Sequence, residues 1–135
     1  LVGELRDPES VSAALTAAET GHLVLSALHA SGVVNALDGI MDLFSPQRQE
    51  GIRGRLADAL EAVVSQRLIP SGDGGRVAAF EVLLANPAVR RIIREGSLNC
   101  LPGVMRDSAE RGMLTMEEAV RGLYSAGKIR NCTLP

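Results

Sequence analysis

Apolar and polar positions in this chain keep two different rhythms. Leu1-Val2-Gly3-Glu4-Leu5-Arg6-Asp7 starts apolar and ends in charge. It reads as the last turn of a buried strand, of which only a stub remains. Asp7-Pro8-Glu9 then offers an N-cap, a proline at the first helical position and an acid in the first turn. Val11, Leu15 and Ala18 share one face of the helix this predicts, and Thr20-Gly21 ends it. Residues 22–28, His-Leu-Val-Leu-Ser-Ala-Leu, do not alternate, which predicts a parallel strand covered on both faces.

The helical rhythm returns over 33–44, with Val34, Leu37, Ile40 and Met41 inward. Ser45-Pro46 restarts the chain, and Ile52, Leu56, Ala59, Leu60, Val63 and Val64 predict one long amphipathic helix over 46–65. Residues 66–69 and 76–84 flank Pro70-Ser71-Gly72-Asp73-Gly74-Gly75 and predict a β-hairpin. Asn86-Pro87 starts a helix with Val89, Ile92 and Ile93 on one side and Arg90, Arg91 and Arg94 on the other, stopped by Gly96. Leu98, Leu101, Val104 and Met105 predict a further helix, bent or interrupted around Pro102-Gly103. Thr115-Met116-Glu117-Glu118 is a capping box opening a last helix to about residue 125. Residues 128–135 lack periodicity and are expected to fray. The order describes an α/β fold passing into a mainly helical C-terminal part.

At 135 residues and a net charge of −2, one core is affordable and no basic tract exists to neutralise phosphates, so nucleic acid is not an expected partner. Phe44, Phe80 and Tyr124 are the only aromatic residues, too few for a base-stacking platform. Two cysteines, Cys100 and Cys132, make neither a disulfide framework nor a zinc cluster and suit a reducing compartment. No apolar stretch approaches the ~20 residues of a membrane span, and no signal peptide is read at the start. A cytoplasmic place is expected.

Glu4, just past a strand end in an α/β arrangement, stands at the sheet edge where ligands bind and could polarise a water directly or through Mg²⁺. A surface pair with Arg6 is the plainer alternative. His29 closes the second strand at the same expected edge, where its imidazole could donate to a phosphate oxygen; a satisfied histidine under a loop is as common. His22 opens that strand about 23 Å away if the span is fully extended, so the two histidines are not expected to share a metal. Gly72-Asp73-Gly74-Gly75 lacks the G-x-x-x-x-G-K-[ST] pattern, which is absent from the whole chain, and reads as a hairpin turn rather than a phosphate cradle. Arg90, Arg91 and Arg94 form a basic helix face, usually only solvated.

Taken together, residues 1–7, 15–24 and 28–29 resemble the secretion ATPases of the PilT/GspE superfamily, RecA-like hexameric motors. The resemblance runs from residue 1 to about residue 125. It implies the C-terminal part of a RecA-like P-loop NTPase domain: a Walker B strand, a His-box strand and a β-hairpin within 1–86, a helical region over 87–127 and a disordered tail over 128–135. By position, Glu4 matches the glutamate that activates the attacking water. His29 matches the His-box residue that meets the γ-phosphate, and Gly3, Arg6 and His22 belong to the nucleotide side. Ala88-Val89-Arg90-Arg91-Ile92-Ile93-Arg94-Glu95 is similar to the coupling helix of pilus retraction motors. The cofactors implied are ATP and Mg²⁺. The partners implied are five further subunits of a hexamer and an inner-membrane pilus platform protein, reached from the cytoplasm or peripherally at that membrane. With two cysteines instead of a four-cysteine metal element, and a tight hairpin, the match favours type IV pilus retraction over pilus assembly or type II secretion. A non-catalytic module that binds motor subunits is the alternative of another class. Walker A, the Asp box and the N-terminal domain lie upstream of Walker B in the family, so the chain alone is expected to be inactive.

Overall fold

The computed structural model describes residues 1–131. Helix α1, Pro8–Glu19, begins where expected, with the Asp7 carboxylate accepting from Ser10 N at 2.7 Å. Residues 2–5 run parallel to 25–27 through three backbone hydrogen bonds: Val2 N to Leu25 O, Ala27 N to Gly3 O and Leu5 N to Ala27 O. The two predicted strands therefore meet side by side. Their expected coverage is not observed: Leu23 is 78 % and Leu25 59 % exposed, and the pairing is one bridge, Glu4 with Ala27, rather than an extended ladder. Only one edge of residues 22–28 has a strand neighbour among the described residues, so the apolar run lies open.

Helix α2, Val33–Asp42, buries Val33, Ala36, Leu37, Ile40 and Met41. Helix α3, Pro46–Ala59, is shorter than predicted. Leu60 is already extended, and residues 62–65 belong to strand β1, Ala62–Pro70. Val63 and Val64 fit a helical spacing, but both are β-branched and stiff at χ1, and pairing with Leu83 and Val82 of strand β2, Arg76–Leu84, decides their state. The hairpin is thus nine residues a side, in register from Ala62 opposite Leu84 to Pro70 opposite Arg76. Its turn needs Gly74 at φ +93°, a conformation open to glycine.

Helix α4, Pro87–Glu95, is capped by the Asn86 side chain on Val89 N at 2.9 Å and closed by left-handed Gly96. The next helix is interrupted earlier than expected. A 3₁₀ turn over Leu98–Cys100 passes into α5, Leu101–Asp107, with Pro102 in the first turn of α5, where its missing N–H costs nothing. A second 3₁₀ turn, Ala109–Arg111, leads to Leu114, which bridges the outer edge of β2 at Val82. The capping box opens α6, Met116–Ser125, as read from the sequence.

One core runs from α1 to α5, with Leu37, Leu83, Ile93, Leu101 and Met105 fully buried; each such side chain contributes roughly 1.5–3 kcal/mol through burial. A smaller cluster joins Ile69, Ala79, Met116, Val120 and Ile129. Ile129 corrects the expectation of fraying from residue 128. It is buried, Gly72 N donates to Lys128 O at 3.0 Å, and Arg130 donates to Gly72 O at 2.7 Å. Residues 132–135, with Cys132, lie outside the described residues; Cys100 is an exposed free thiol.

Candidate functional site

The parallel pairing of residues 2–5 with 25–27 brings Glu4 and His29 to one edge. The Glu4 carboxylate is bound on both oxygens: one meets His29 Nε2, the other the Arg6 guanidinium. The Arg6 pair expected as the plainer alternative is formed, and His29 shares the same carboxylate. Its side chain is about one-quarter exposed, whereas those of Arg6 and His29 are largely in solvent. Each Glu4 oxygen keeps a second lone pair beside its partner, so a water can be accepted there, or in place of a partner that exchanges. Exposed pairs of this kind hold with about 1 kcal/mol or less, so that exchange is not expensive.

Beside the pair lies a cavity of about 170 Å³ lined by Glu4, Arg6, Leu28, His29, Asn35 and Gly39 among others. It takes a few waters and is too small for a nucleotide. Asn35 was not singled out by its sequence context. It reaches this place because α2 starts four residues after His29, and its amide donates to Ser31 O at 2.8 Å. Gly3 is exposed, with open space where a Cβ would stand, and Ser26 Oγ donates to its carbonyl at 3.2 Å.

His22 is elsewhere. Its Nδ1 contacts Thr20 Oγ1 at 3.3 Å and Ala17 O at 3.2 Å, at the C-terminal end of α1. It lines a larger groove of about 780 Å³ between residues 21–28, α1, α2 and β1, which adjoins the smaller cavity through Leu5, Leu28, Ala30 and Ala36. That groove is mainly apolar; the carboxylate–imidazole chemistry sits at the smaller cavity. Among the described residues, no three His, Cys, Asp or Glu side chains are grouped to hold a metal ion.

The basic face of α4 is partly occupied. Arg90 donates to the carbonyls of Ala57 and Asp58, the last turn of α3, and pairs with Glu61 at 3.5 Å. Arg94 pairs with the Asp58 carboxylate. Arg91, at 72 % side-chain exposure, pairs along its own helix with Glu95 at 3.9 Å.

Glu81 was missed altogether. It is a carboxylate, 9 % exposed, in the middle of β2, and its Oε2 accepts from Val33 N at 2.8 Å. Directly across the hairpin, Ser65 Oγ accepts from Gly32 N at 3.0 Å. Its signal in the sequence is one acid interrupting an otherwise apolar strand.

Residues 1–74, over half of the chain and all of this edge, match the family described as type II/IV secretion system protein. The chain belongs to that family. It is 46 % identical over 130 residues to a twitching motility protein of Neisseria gonorrhoeae, covering 96 % of this chain and 35 % of that one. Identity is 40 % over 129 residues to the type IV pilus retraction ATPase PilT of Pseudomonas aeruginosa, covering 96 % and 38 %. Among solved structures, the pilus retraction motor PilT with bound ADP superposes with a TM-score of 0.83 at 41 % identity, covering 95 % of this chain and 36 % of that one. The ATPase DotB of Legionella pneumophila gives 0.80 at 32 %. The fold is accordingly the expected one, part of a RecA-like ATPase domain, and the chain spans about a third of the length of these secretion family relatives.

Proposed function

We propose that this chain is the C-terminal part of the motor domain of an ATP-hydrolysing hexamer that drives type IV pilus retraction. The observation that carries the reading is the Glu4–His29 pair at the end of two parallel segments, in a chain 40–46 % identical over nearly its whole length to twitching motility and retraction proteins. A protein transport relative of Escherichia coli matches at only 29 %, and a type II secretion system protein E of Klebsiella pneumoniae reaches 41 % over only 51 % of the chain, which favours retraction over secretion or assembly.

In this reading, Glu4 leaves His29 and accepts a hydrogen bond from the attacking water. Water oxygen bonds to the γ-phosphorus, the bond to the ADP oxygen breaks, and the water's proton passes to solvent or phosphate by way of Glu4. His29, released, donates to a γ-phosphate oxygen. Gly3 and Arg6 border the same edge. His22 belongs to the nucleotide side only by resemblance, since its contacts hold it to the end of α1. Mg²⁺ accompanies ATP, and no step is assigned to it. Arg91 is the member of the basic face freest to meet an inner-membrane platform protein, with Arg90 and Arg94 holding α4 in place behind it. The protein works from the cytoplasm, at the membrane face.

Positioning and electrostatics around the phosphates supply most of phosphoryl-transfer catalysis, and no Walker A loop exists in these 135 residues. The chain alone is therefore expected to show no appreciable ATP turnover. A gene product carrying this chain together with a Walker A loop should hydrolyse ATP. In it, Glu4→Gln should lower turnover by about 10²–10⁴-fold without loss of the oligomer. Turnover indifferent to Glu4→Gln would sink the assignment and leave a module that binds motor subunits.

A further inference from the structure

We infer that Glu81 is a positioning residue for His29, acting from the hairpin through the first turn of α2. The inference rests on the reading of His29 as the phosphate-facing group, and it adds the device that holds that group in place.

Helix α2 has no side-chain cap of its own, because its N-cap is Gly32 at φ +96°. Its first free N–H groups are taken up from outside. Val33 N donates to Glu81 Oε2 at 2.8 Å and Gly32 N to Ser65 Oγ at 3.0 Å. Val33 is 1 % exposed, Ser65 7 % and Glu81 9 %, so water does not substitute for either acceptor. A carboxylate at this place also faces the positive end of the α2 dipole, which suits a charge buried this deeply. The fit leaves no slack: a Cβ on residue 32 would lie 3.2 Å from Glu81 Oε2.

His29 stands three residues before Gly32. The intervening Ala30 and Ser31 are exposed, with Ser31 O taken by Asn35 of the same helix. The course of this short loop is fixed at one end by the pairing of Ala27 with Gly3 and Leu5 and at the other by Glu81 and Ser65. Val82, the neighbour of Glu81, bridges Leu114 through two backbone hydrogen bonds of 2.8 and 3.0 Å. The helical C-terminal part thereby reaches the His29 loop through a single strand.

The test needs no nucleotide. Amide hydrogen exchange and imidazole ¹⁵N–¹H spectra are recorded on the full chain, with His22 as internal control. Glu81→Ala should speed exchange at Val33 by about tenfold or more, the equivalent of one lost hydrogen bond to a charged group. It should also move the His29 signals toward those of Glu4→Ala while leaving His22 unchanged. Glu81→Gln, which keeps an acceptor oxygen, should restore both. His29 signals unmoved in Glu81→Ala, with Val33 exchange accelerated, would reduce Glu81 to a helix cap and overturn the inference. Where Glu81→Ala unfolds the chain and shifts His22 too, Ser65→Ala decides: His29 should shift there to a smaller degree, and no shift overturns the inference. These outcomes stand whether or not the protein hydrolyses ATP. Loss of turnover reading with the His29 response intact would reject the retraction motor alone.

Discussion

Thr115 and Glu118 show a residue pair whose role could be read before any fold was known. The Glu118 carboxylate accepts from the Thr115 hydroxyl at 2.7 Å and from Thr115 N at 3.1 Å, and Glu118 N donates back to Thr115 Oγ1 at 3.3 Å. These hydrogen bonds, with smaller help from Arg106 and Arg121, hold the Glu118 carboxyl below its ordinary 4.5. A depressed folded value means the stabilisation is present above pH 4.5 and is lost as pH falls through the lowered value. The melting temperatures of the native chain and Glu118→Gln should therefore differ at pH 7 and converge in acid; a gap that persists at pH 2–3 would contradict the pairing. Thr115→Ala, which removes the cap at a buried position, should cost about 1 kcal/mol. The motif is legible because all its partners lie within three residues. Glu81 is not, since its partner Val33 is 48 residues away and only the folded hairpin brings them together.

At the scale of elements, the boundary between α3 and β1 explains both the success and the failure of periodicity. Ile52 and Leu56 are buried as the helical spacing requires, yet the same spacing continued to Val63 and Val64 assigns a strand to a helix. Local pattern cannot separate the two for a short apolar run. The nine-residue pairing with β2 decides it, and that information sits beyond the Gly-rich turn. What ends α3 is also distant: Arg90 of α4 closes its last carbonyls, at Ala57 and Asp58. The guanidinium complements the negative end of the helix and satisfies carbonyls that have no partner within it. Arg90→Ala should therefore destabilise the chain by about 2 kcal/mol in denaturant titration. Arg91→Ala, at the surface, should change it by less than about 0.5 kcal/mol. Equal effects would mean that the α4 face is uniformly solvated, as a reading of charge runs alone suggests.

Over the whole molecule, the parallel meeting that brings Glu4 and His29 to one edge was readable because it depends on order along the chain: an extended segment, a helix, a second extended segment. The exposure of the second strand was not, since apolar runs report what a segment prefers and not whether a neighbour is at hand. Among the described residues, 22–28 are paired on one edge only, and opposite them, across the apolar groove of about 780 Å³, stands β1. Leu23, Leu25 and Val64 border that groove at 78, 59 and 61 % exposure. An open strand edge beside apolar side chains invites pairing with a further strand, and patches of this kind mark interaction surfaces or association hazards. The chain by itself should therefore self-associate with rising concentration in sedimentation velocity. Leu23→Lys with Val64→Lys should restore a monomer while leaving the Glu4–His29 pair, whose cavity neither residue lines, unaffected in the imidazole spectrum. A wild-type chain that stays monomeric across a hundredfold range of concentration would show that the groove closes on itself, because an apolar cleft of this size left in water exerts a continuing pull toward any strand that fits it.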